Sequence, residues 1–451
     1  MGASAVSIGR AMAGGVLDPV AFTECLLERI AIQPSPIFLN VTATRALTEA
    51  EAARLRLREG RPRSALDGLP VAWKDLVDMA GEVTTAASDL LRHSPVADQD
   101  APIVAQASAA GMVNLGKLNL TEFAYSGIGL NPHYGTPENP CSTDGPRVPG
   151  GSSSGSGAAV AAGLAPIAIG TDTGGSVRVP AAFNGVTGYK SSEGRISLEG
   201  VLKLSPTLDT IGPLGRTVED CVLADQILRG ARGVSMPCAI VSDVSLFVPE
   251  GVVLDGLEPE VAANFEASLV RLSALGVSIE RCVLPEFEEA ARLAEEIGTI
   301  TAAEAYVEHA ARVDGADRER MDHRVAARID LGRAMSALGL LRLQRARVAA
   351  MQSLNVRLNG ALIAMPTVPH IAPAIAPLDA DDALFYAMNL KTLRNTVIGN
   401  FLNLPGVAMP NGTGEAGMPT SFLLSASAGG DDEHLLSAAL ALEPAIRGNV
   451  T

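Results

Sequence analysis

The residues of this chain with the most chemical content are hydroxyls set among glycines. From Cys141 to Gly157 the sequence reads CSTDGPRVPGGSSSGSG, in which Ser, Gly and Pro supply 12 of 17 residues. Composition alone would make this a flexible tether. The next residues, AAVAAGLAPIAIG from Ala158, form an apolar run suited to a buried helix and strand, so the loop leads straight into a core. A loop anchored that way reads as a binding or catalytic element. The apolar run ends in Gly170-Thr171-Asp172-Thr173-Gly174-Gly175-Ser176. Two adjacent glycines before a serine let the backbone aim successive N–H groups at one point, a nest suited to a developing oxyanion. An ordinary strand-to-helix turn has the same local sequence, and this segment alone leaves both readings open.

Competing motifs fail on context. Gly151-Ser152-Ser153-Ser154-Gly155 fits G-x-S-x-G, which would make Ser153 a nucleophile, but that elbow needs a core strand directly before it and RVPG is not one. Neither glycine-rich loop ends in Gly-Lys-Ser/Thr, and G-x-G-x-x-G is incomplete from Gly155 to Val160, so a phosphate cradle is not indicated. Nothing local singles out any of His93, His133, His309, His323, His370 or His434, which read as surface or structural. Cys25, Cys141, Cys221, Cys238 and Cys282 are odd in number and scattered, with no C-x-x-C pair, so neither a disulfide framework nor a metal site is expected.

The elements that must position these residues alternate between helix and strand. Asp18-Pro19 caps a first helix with Phe22, Leu26, Leu27 and Ile30 at helical spacing, and a second runs from Thr44 to Glu59. Leu69 to Trp73 is a short apolar strand that delivers Lys74 at its end. A helix from Ala101 to Gly111 precedes a strand from Met112 to Gly116. Further strands are expected at Ala239–Ser242, Val277–Val283, Ala361–Met365, Val407–Pro410 and Ser421–Leu424, with a long helix over Arg324–Leu358 and a terminal one over Glu433–Ile446. This alternation predicts an α/β fold, and no internal repeat or long linker interrupts it.

Composition narrows the function. The chain has 451 residues, 47% of them hydrophobic and 19% charged, a globular profile that excludes disorder as the main state. The net charge of −15 repels phosphate backbones and anionic bilayers, so no nucleic-acid partner is expected. The longest uncharged apolar run, Gly157 to Gly170, is too short to span a membrane and contains Pro166. The first residues lack a basic-then-apolar leader, and Val6 stands where a myristoylation signal needs Ser or Thr, so a cytoplasmic address is expected.

Three segments taken together, GLPVAWKD from Gly68, GGSSSGSGAAVAAG from Gly150 and GTDTGGSVRVPAAFNGVTGYK from Gly170, resemble the amidase signature family. The likeness is close over about residues 68–220 and extends to NLGKLNLTEFAYSG, SPTLDTIGPLGRTVEDC and NFLNLPGVAMP. It implies one domain over 1–451, with an N-terminal helical segment of about 1–66 and a signature core of about 68–220. The implied fold is a central twisted mixed β-sheet covered by helices on both faces, with no metal or organic cofactor. The sequence departs from the family's usual pattern at Trp73, where a smaller aliphatic residue is common, and at Ala87 and Ser191, which replace glycine and proline.

The resemblance assigns the chemistry to Lys74, Ser152 and Ser176. Ser176 attacks the carbonyl, Ser152 relays its proton, and neutral Lys74 accepts it before the leaving nitrogen takes it back. The lysine role requires burial or an altered field to lower a pKa of about 10.4; Asp75, next in sequence, could instead hold Lys74 charged in an ion pair. The backbone N–H groups of Thr173, Gly174, Gly175 and Ser176 are the implied oxyanion hole. Asp172 and Arg178 are expected to order the loop, Ser153 and Ser154 to shape it, and Lys117 to serve the scaffold. Tyr125, Ser126, Gly127 and Ile128 are expected in the pocket wall. The implied activity is stand-alone hydrolysis of a small carboxylic amide, arylalkyl amides and hydrazides included; the resemblance also allows a homodimer. The alternatives are the glutaminase component of a tRNA-dependent amidotransferase and a catalytically silent scaffold.

Overall fold

A computed structural model describes residues 2–231, 236–429 and 431–448. Its eleven strands are β1 (Phe38–Val41), β2 (Pro70–Lys74), β3 (Val113–Leu118), β4 (Ile167–Asp172), β5 (Thr187–Lys190), β6 (Thr210–Gly215), β7 (Ser245–Glu250), β8 (Ser278–Val283), β9 (Leu362–Pro366), β10 (Gly406–Thr413) and β11 (Pro419–Ser425). They form one mixed sheet in the order β1-β3-β2-β4-β6-β5-β10-β11-β9-β7-β8. Parallel pairs β3-β2-β4 and β9-β7-β8 flank an antiparallel centre.

The two-residue period of the strands divides the core into layers. Val71, Trp73, Ile167 and Ile169 pack on one face with Ile103, Val104 and Ile227. Ala72 and Ala168, one residue out of phase, pack on the other face with Leu26, Ala46, Ala158 and Leu354. Further along the sheet, Leu362, Ala364, Val407 and Met409 meet Phe265, Leu269 and Leu435 on one side, while Ile363, Met365 and Ala408 join the opposite layer. Helices therefore cover both faces. Each fully buried Val or Ile on these strands contributes about 1.5–3 kcal/mol through removal from water.

Several boundaries differ from the sequence reading. A helix, Ala5–Ala13, precedes the one capped by Asp18, whose carboxylate accepts from the N–H groups of Val20 and Ala21. The 1–66 segment is not wholly helical, since β1 lies within it and pairs with β3. No strand occupies Ala239–Ser242; a 3-10 turn spans Val241–Asp243, and the strand begins at Ser245, where neighbours on both sides can pair with it. The long helix over Arg324–Leu358 is two helices, His323–Asp330 and Ala337–Leu358, joined through a 3-10 turn at Leu331–Ala334; Ser336 caps the second by accepting from Gly339 N–H. The expected terminal helix is present as Asp432–Arg447.

Candidate active site

Strand β2 ends at Lys74, whose side chain is fully buried. Its Nζ hydrogen-bonds Ser152 Oγ at 2.7 Å and Thr171 Oγ1 at 2.8 Å. Burial brings the ammonium down to about 7, against the opposing fields of Asp209 and Asp172. An amine that is half neutral near pH 7 and bonded to a hydroxyl can take and return a proton. Asp75 does not pair with it. Its carboxylate meets Lys117 Nζ at 2.9 Å and the Thr85 N–H and hydroxyl, and Lys117 also donates to the Val77 carbonyl at 2.6 Å. Lys117 thus belongs to a buried structural cluster. Trp73 points into the layer away from Ser152, with its indole N–H on Asn114 Oδ1 at 2.7 Å.

The serine loop crosses the carboxyl end of β2. The Gly151–Ser152 peptide bond is cis. Ser152 carbonyl accepts from Thr121 N–H, and Ser152, Ser153 and Ser154 are all fully buried. Ser153 Oγ donates to the Thr171 carbonyl at 3.3 Å, a bond that ties the loop to β4. The helix Ser154–Ala161 then carries Ala158, Ala159 and Val160 into the core, as the apolar run requires.

Strand β4 delivers the turn that holds Ser176. Asp172 Oδ1 accepts from Gly175 N–H at 2.8 Å, and Oδ2 accepts from Val177 N–H at 3.1 Å. Arg178 closes the turn, with Nη2 on Oδ1 at 2.9 Å and Nε on Oδ2 at 3.0 Å. Burial pushes the Asp172 carboxyl up, but the Arg178 charge and hydrogen bonds, with Lys190 and Asn400, outweigh it and hold the group well below the usual carboxylate range. The turn leaves fewer N–H groups open than the expected oxyanion hole would use. Gly175 N–H is committed to Asp172 and is not open; among the described residues no acceptor is found for the N–H groups of Thr173, Gly174 and Ser176. Gly175 serves through its shape, at φ +133°, where a Cβ would stand 2.2 Å from Thr396 Oγ1. The backbone joins the two serine segments, since Ser153 N–H donates to the Ser176 carbonyl at 3.3 Å; among the described residues no hydrogen bond joins the Ser152 and Ser176 hydroxyls.

The segment 125–128 lies beside the serine loop. Gly127 carbonyl accepts from Gly151 N–H at 2.8 Å. Tyr125 is buried under Arg328, whose guanidinium sits 4.5 Å from the ring centre while its Nε donates to the Tyr125 carbonyl. Ser126 Oγ and Gly127 N–H both donate to Asn389 Oδ1, at 3.1 and 2.8 Å. Ile128 is a core residue, packed with Leu130, Val179 and Phe183, and Tyr125 packs in a second core cluster with Leu120 and Phe123. The TEFA segment before it is a 3-10 turn, with Phe123 at φ +49°, not an α-helix.

Sequence reasoning missed the helix Asp382–Phe401, which braces this end of the sheet. Asn389, Leu393, Thr396 and Asn400 recur at spacings of three and four and so share one face. Asn389 holds Ser126 and Gly127, Leu393 stands against Gly127, Thr396 Oγ1 donates to the Gly174 carbonyl at 2.7 Å, and Asn400 Nδ2 donates to Asp172 Oδ1 at 3.0 Å. The periodic polar positions were visible in the sequence; their target was not. Thr171 and Asp209 were also missed.

The chain is similar to known proteins along most of its length. The amidase family model matches residues 21–436. A 2-amino-5-chloromuconic acid deaminase of Comamonas testosteroni is 36% identical over 390 residues, 84% of this chain and 82% of that protein. A glutamyl-tRNA(Gln) amidotransferase component of Roseiflexus castenholzii is 34% identical over 94% of this chain and 92% of its own length. A solved crystal structure of an amidase superposes with a TM-score of 0.86 at 29% identity, covering 100% of both chains. The chain belongs to the amidase signature family and is a hydrolase that acts on amide bonds.

Proposed function

We propose that the chain is a stand-alone hydrolase of a small carboxylic amide, working through an acyl-enzyme on Ser176. The observation that carries this reading is the buried Lys74 amine, near neutrality and 2.7 Å from Ser152 Oγ. Ser176 Oγ attacks the amide carbon as its proton passes by way of Ser152 to neutral Lys74. Charge on the carbonyl oxygen is met by the N–H groups of Thr173, Gly174 and Ser176, an arrangement whose loss costs on the order of 10²–10³ in rate per donor. Collapse of the tetrahedral intermediate breaks the C–N bond, and the departing nitrogen takes the proton back along the same route. Water then repeats the sequence on the ester and releases the acid. The contact between the two serine hydroxyls forms with substrate in place, since catalytic hydrogen bonds are commonly long in a free enzyme. The single eleven-stranded sheet supports reading the 451 residues as one domain.

The test is ammonia or amine release from aliphatic, arylalkyl and amino-acid amides and a hydrazide, with the purified chain beside Ser176→Ala. Turnover abolished by the substitution is the expected result; turnover retained in Ser176→Ala overturns the nucleophile assignment. The likeness to an amidotransferase component supports a second reading as a glutaminase. Glutamine hydrolysis seen only after a partner chain is added would select it.

A further inference from the structure

Asp209 occupies the position next to β6 that the sheet places opposite Thr173. Asp172 pairs with Thr210 in the antiparallel register of β4 and β6, so the next pair outward is Thr173 with Asp209. The Thr173 hydroxyl donates to Asp209 Oδ1 at 2.5 Å, and the Leu204 and Ser205 N–H groups donate to Oδ2 at 2.9 and 3.1 Å. Three donors converge on a carboxylate that is 5% exposed and, among the described residues, has no basic partner within 4.0 Å. Lys74 is in the complementary position, a fully buried amine with no acidic partner at salt-bridge distance among the described residues.

We propose that Asp209 is a positioning residue of the proposed amidase site, fixing Thr173 at the start of the Ser176 turn and setting how strongly Lys74 holds its proton. A residue that merely closed the 204–209 loop would need its acceptors alone. Asp209 bonds Thr173 and Lys74 bonds Thr171, two residues back and so on the same face of the strand, which sets the carboxylate's charge on the side of the turn where the amine must gain and lose a proton. Burial pushes its carboxyl up to about 6, opposed by its donors and by Lys74, so the group is anionic at neutral pH. The other charge facing Lys74 is Asp172, on β4, which is saturated by Arg178, Asn400 and the turn N–H groups. The Asp172 charge is offset by the Arg178 guanidinium, whereas among the described residues Asp209 has no ion-pair partner, so its charge is the one left to act on the amine. The inference rests on the Ser176 acyl-enzyme reading.

The experiment follows the rate at which a neutral serine-directed phosphonate labels Ser176, read by intact mass across about pH 5 to 9, in the full-length chain. Wild type labels and Ser176→Ala does not; absence of label on wild type overturns the acyl-enzyme reading itself. In Asp209→Asn the acid limb of the profile moves down by about one pH unit, as loss of a nearby opposite charge lowers an amine's pKa, and the maximal rate falls. Thr173→Val keeps the charge and loses the tether, so its maximal rate falls while the limb stays. Should Asp209→Asn lack a cooperative melt, Asp209→Ser, smaller and equally uncharged, gives the same readout. A folded, uncharged variant whose limb coincides with wild type overturns the inference.

Discussion

Asp75 binds Lys117 at 2.9 Å, and this pairing is what leaves Lys74 free to face Ser152. Asp75 follows the last residue of β2 and turns to the scaffold lysine, and among the described residues the neighbouring amine has only hydroxyl partners.

That isolation fixes a pH dependence. With Lys74 at about 7, kcat/KM on a neutral amide falls about tenfold per unit as pH drops below 7 and levels off above it. Lys74→Ala lowers the plateau by about 10²–10⁴ and leaves the circular dichroism spectrum unchanged. The same depressed value predicts that stability climbs between pH 7 and 10.5, because over that window the unfolded chain holds a proton that the folded chain has shed. Urea midpoints of wild type and Lys74→Met across that range measure the slope, which is shallower in the variant, where burial of Lys190, brought down to about 8, still contributes.

Arg178→Ala removes one half of a fully buried ion pair and strands Asp172, at a cost of about 3–5 kcal/mol in urea unfolding. Because the Asp172 carboxyl is held below its ordinary value, its contribution is complete above the unfolded pKa and is lost as pH falls through the folded one. Stability of the variant is accordingly less sensitive to acid than that of wild type.

Gly175→Ala tests whether shape is what the turn needs there. The added methyl collides with Thr396 Oγ1 and the residue is held at φ +133°, so activity drops by about 100-fold or more, of the order of one lost oxyanion donor. Adding Thr396→Gly removes both close atoms, Oγ1 at 2.2 Å and Cβ at 2.8 Å, and keeps the backbone strain. The double variant recovers only part of the loss, measured as a cycle of initial rates.

Ala87 provides a test in the opposite direction. It stands where the family commonly has glycine and adopts φ +50°, in the left-handed region that costs an L-residue about 1–2 kcal/mol. Ala87→Gly raises the urea midpoint by the equivalent of about 1 kcal/mol, with amide turnover unchanged.

How much of this was legible in sequence depended on range. Lys74 could be placed because an apolar strand leads directly into it, and the Ser176 turn because an apolar run ends in paired glycines. Strands β5 and β6 went unread, being short and interrupted by Gly188, Gly212 and Pro213, with their pairing supplied by β4 and β10. The placement of the 125–128 segment was legible only in part: Ser126 and Gly127 lie beside the serine loop, whereas Tyr125 and Ile128 pack in the core. The commitment of Gly175 N–H to Asp172 could not be read at all, because it depends on how Arg178 and Asn400 orient one carboxylate. Asp209 lay hidden for a related reason, since only the register of β4 against β6 puts it opposite Thr173.

The brace formed by Thr396 and Asn400 also sets an order of assembly. Lys74, Ser152 and Ser176 are synthesised in the first 176 positions, but Asn400 follows Asp172 by 228 residues. A ribosome-bound chain that has just extruded the Ser176 turn carries Lys74 and both serines and none of the far helix that steadies the turn. On the proposed mechanism, the turn acquires its final shape only after residue 400 has emerged, so hydrolysis waits for the far helix.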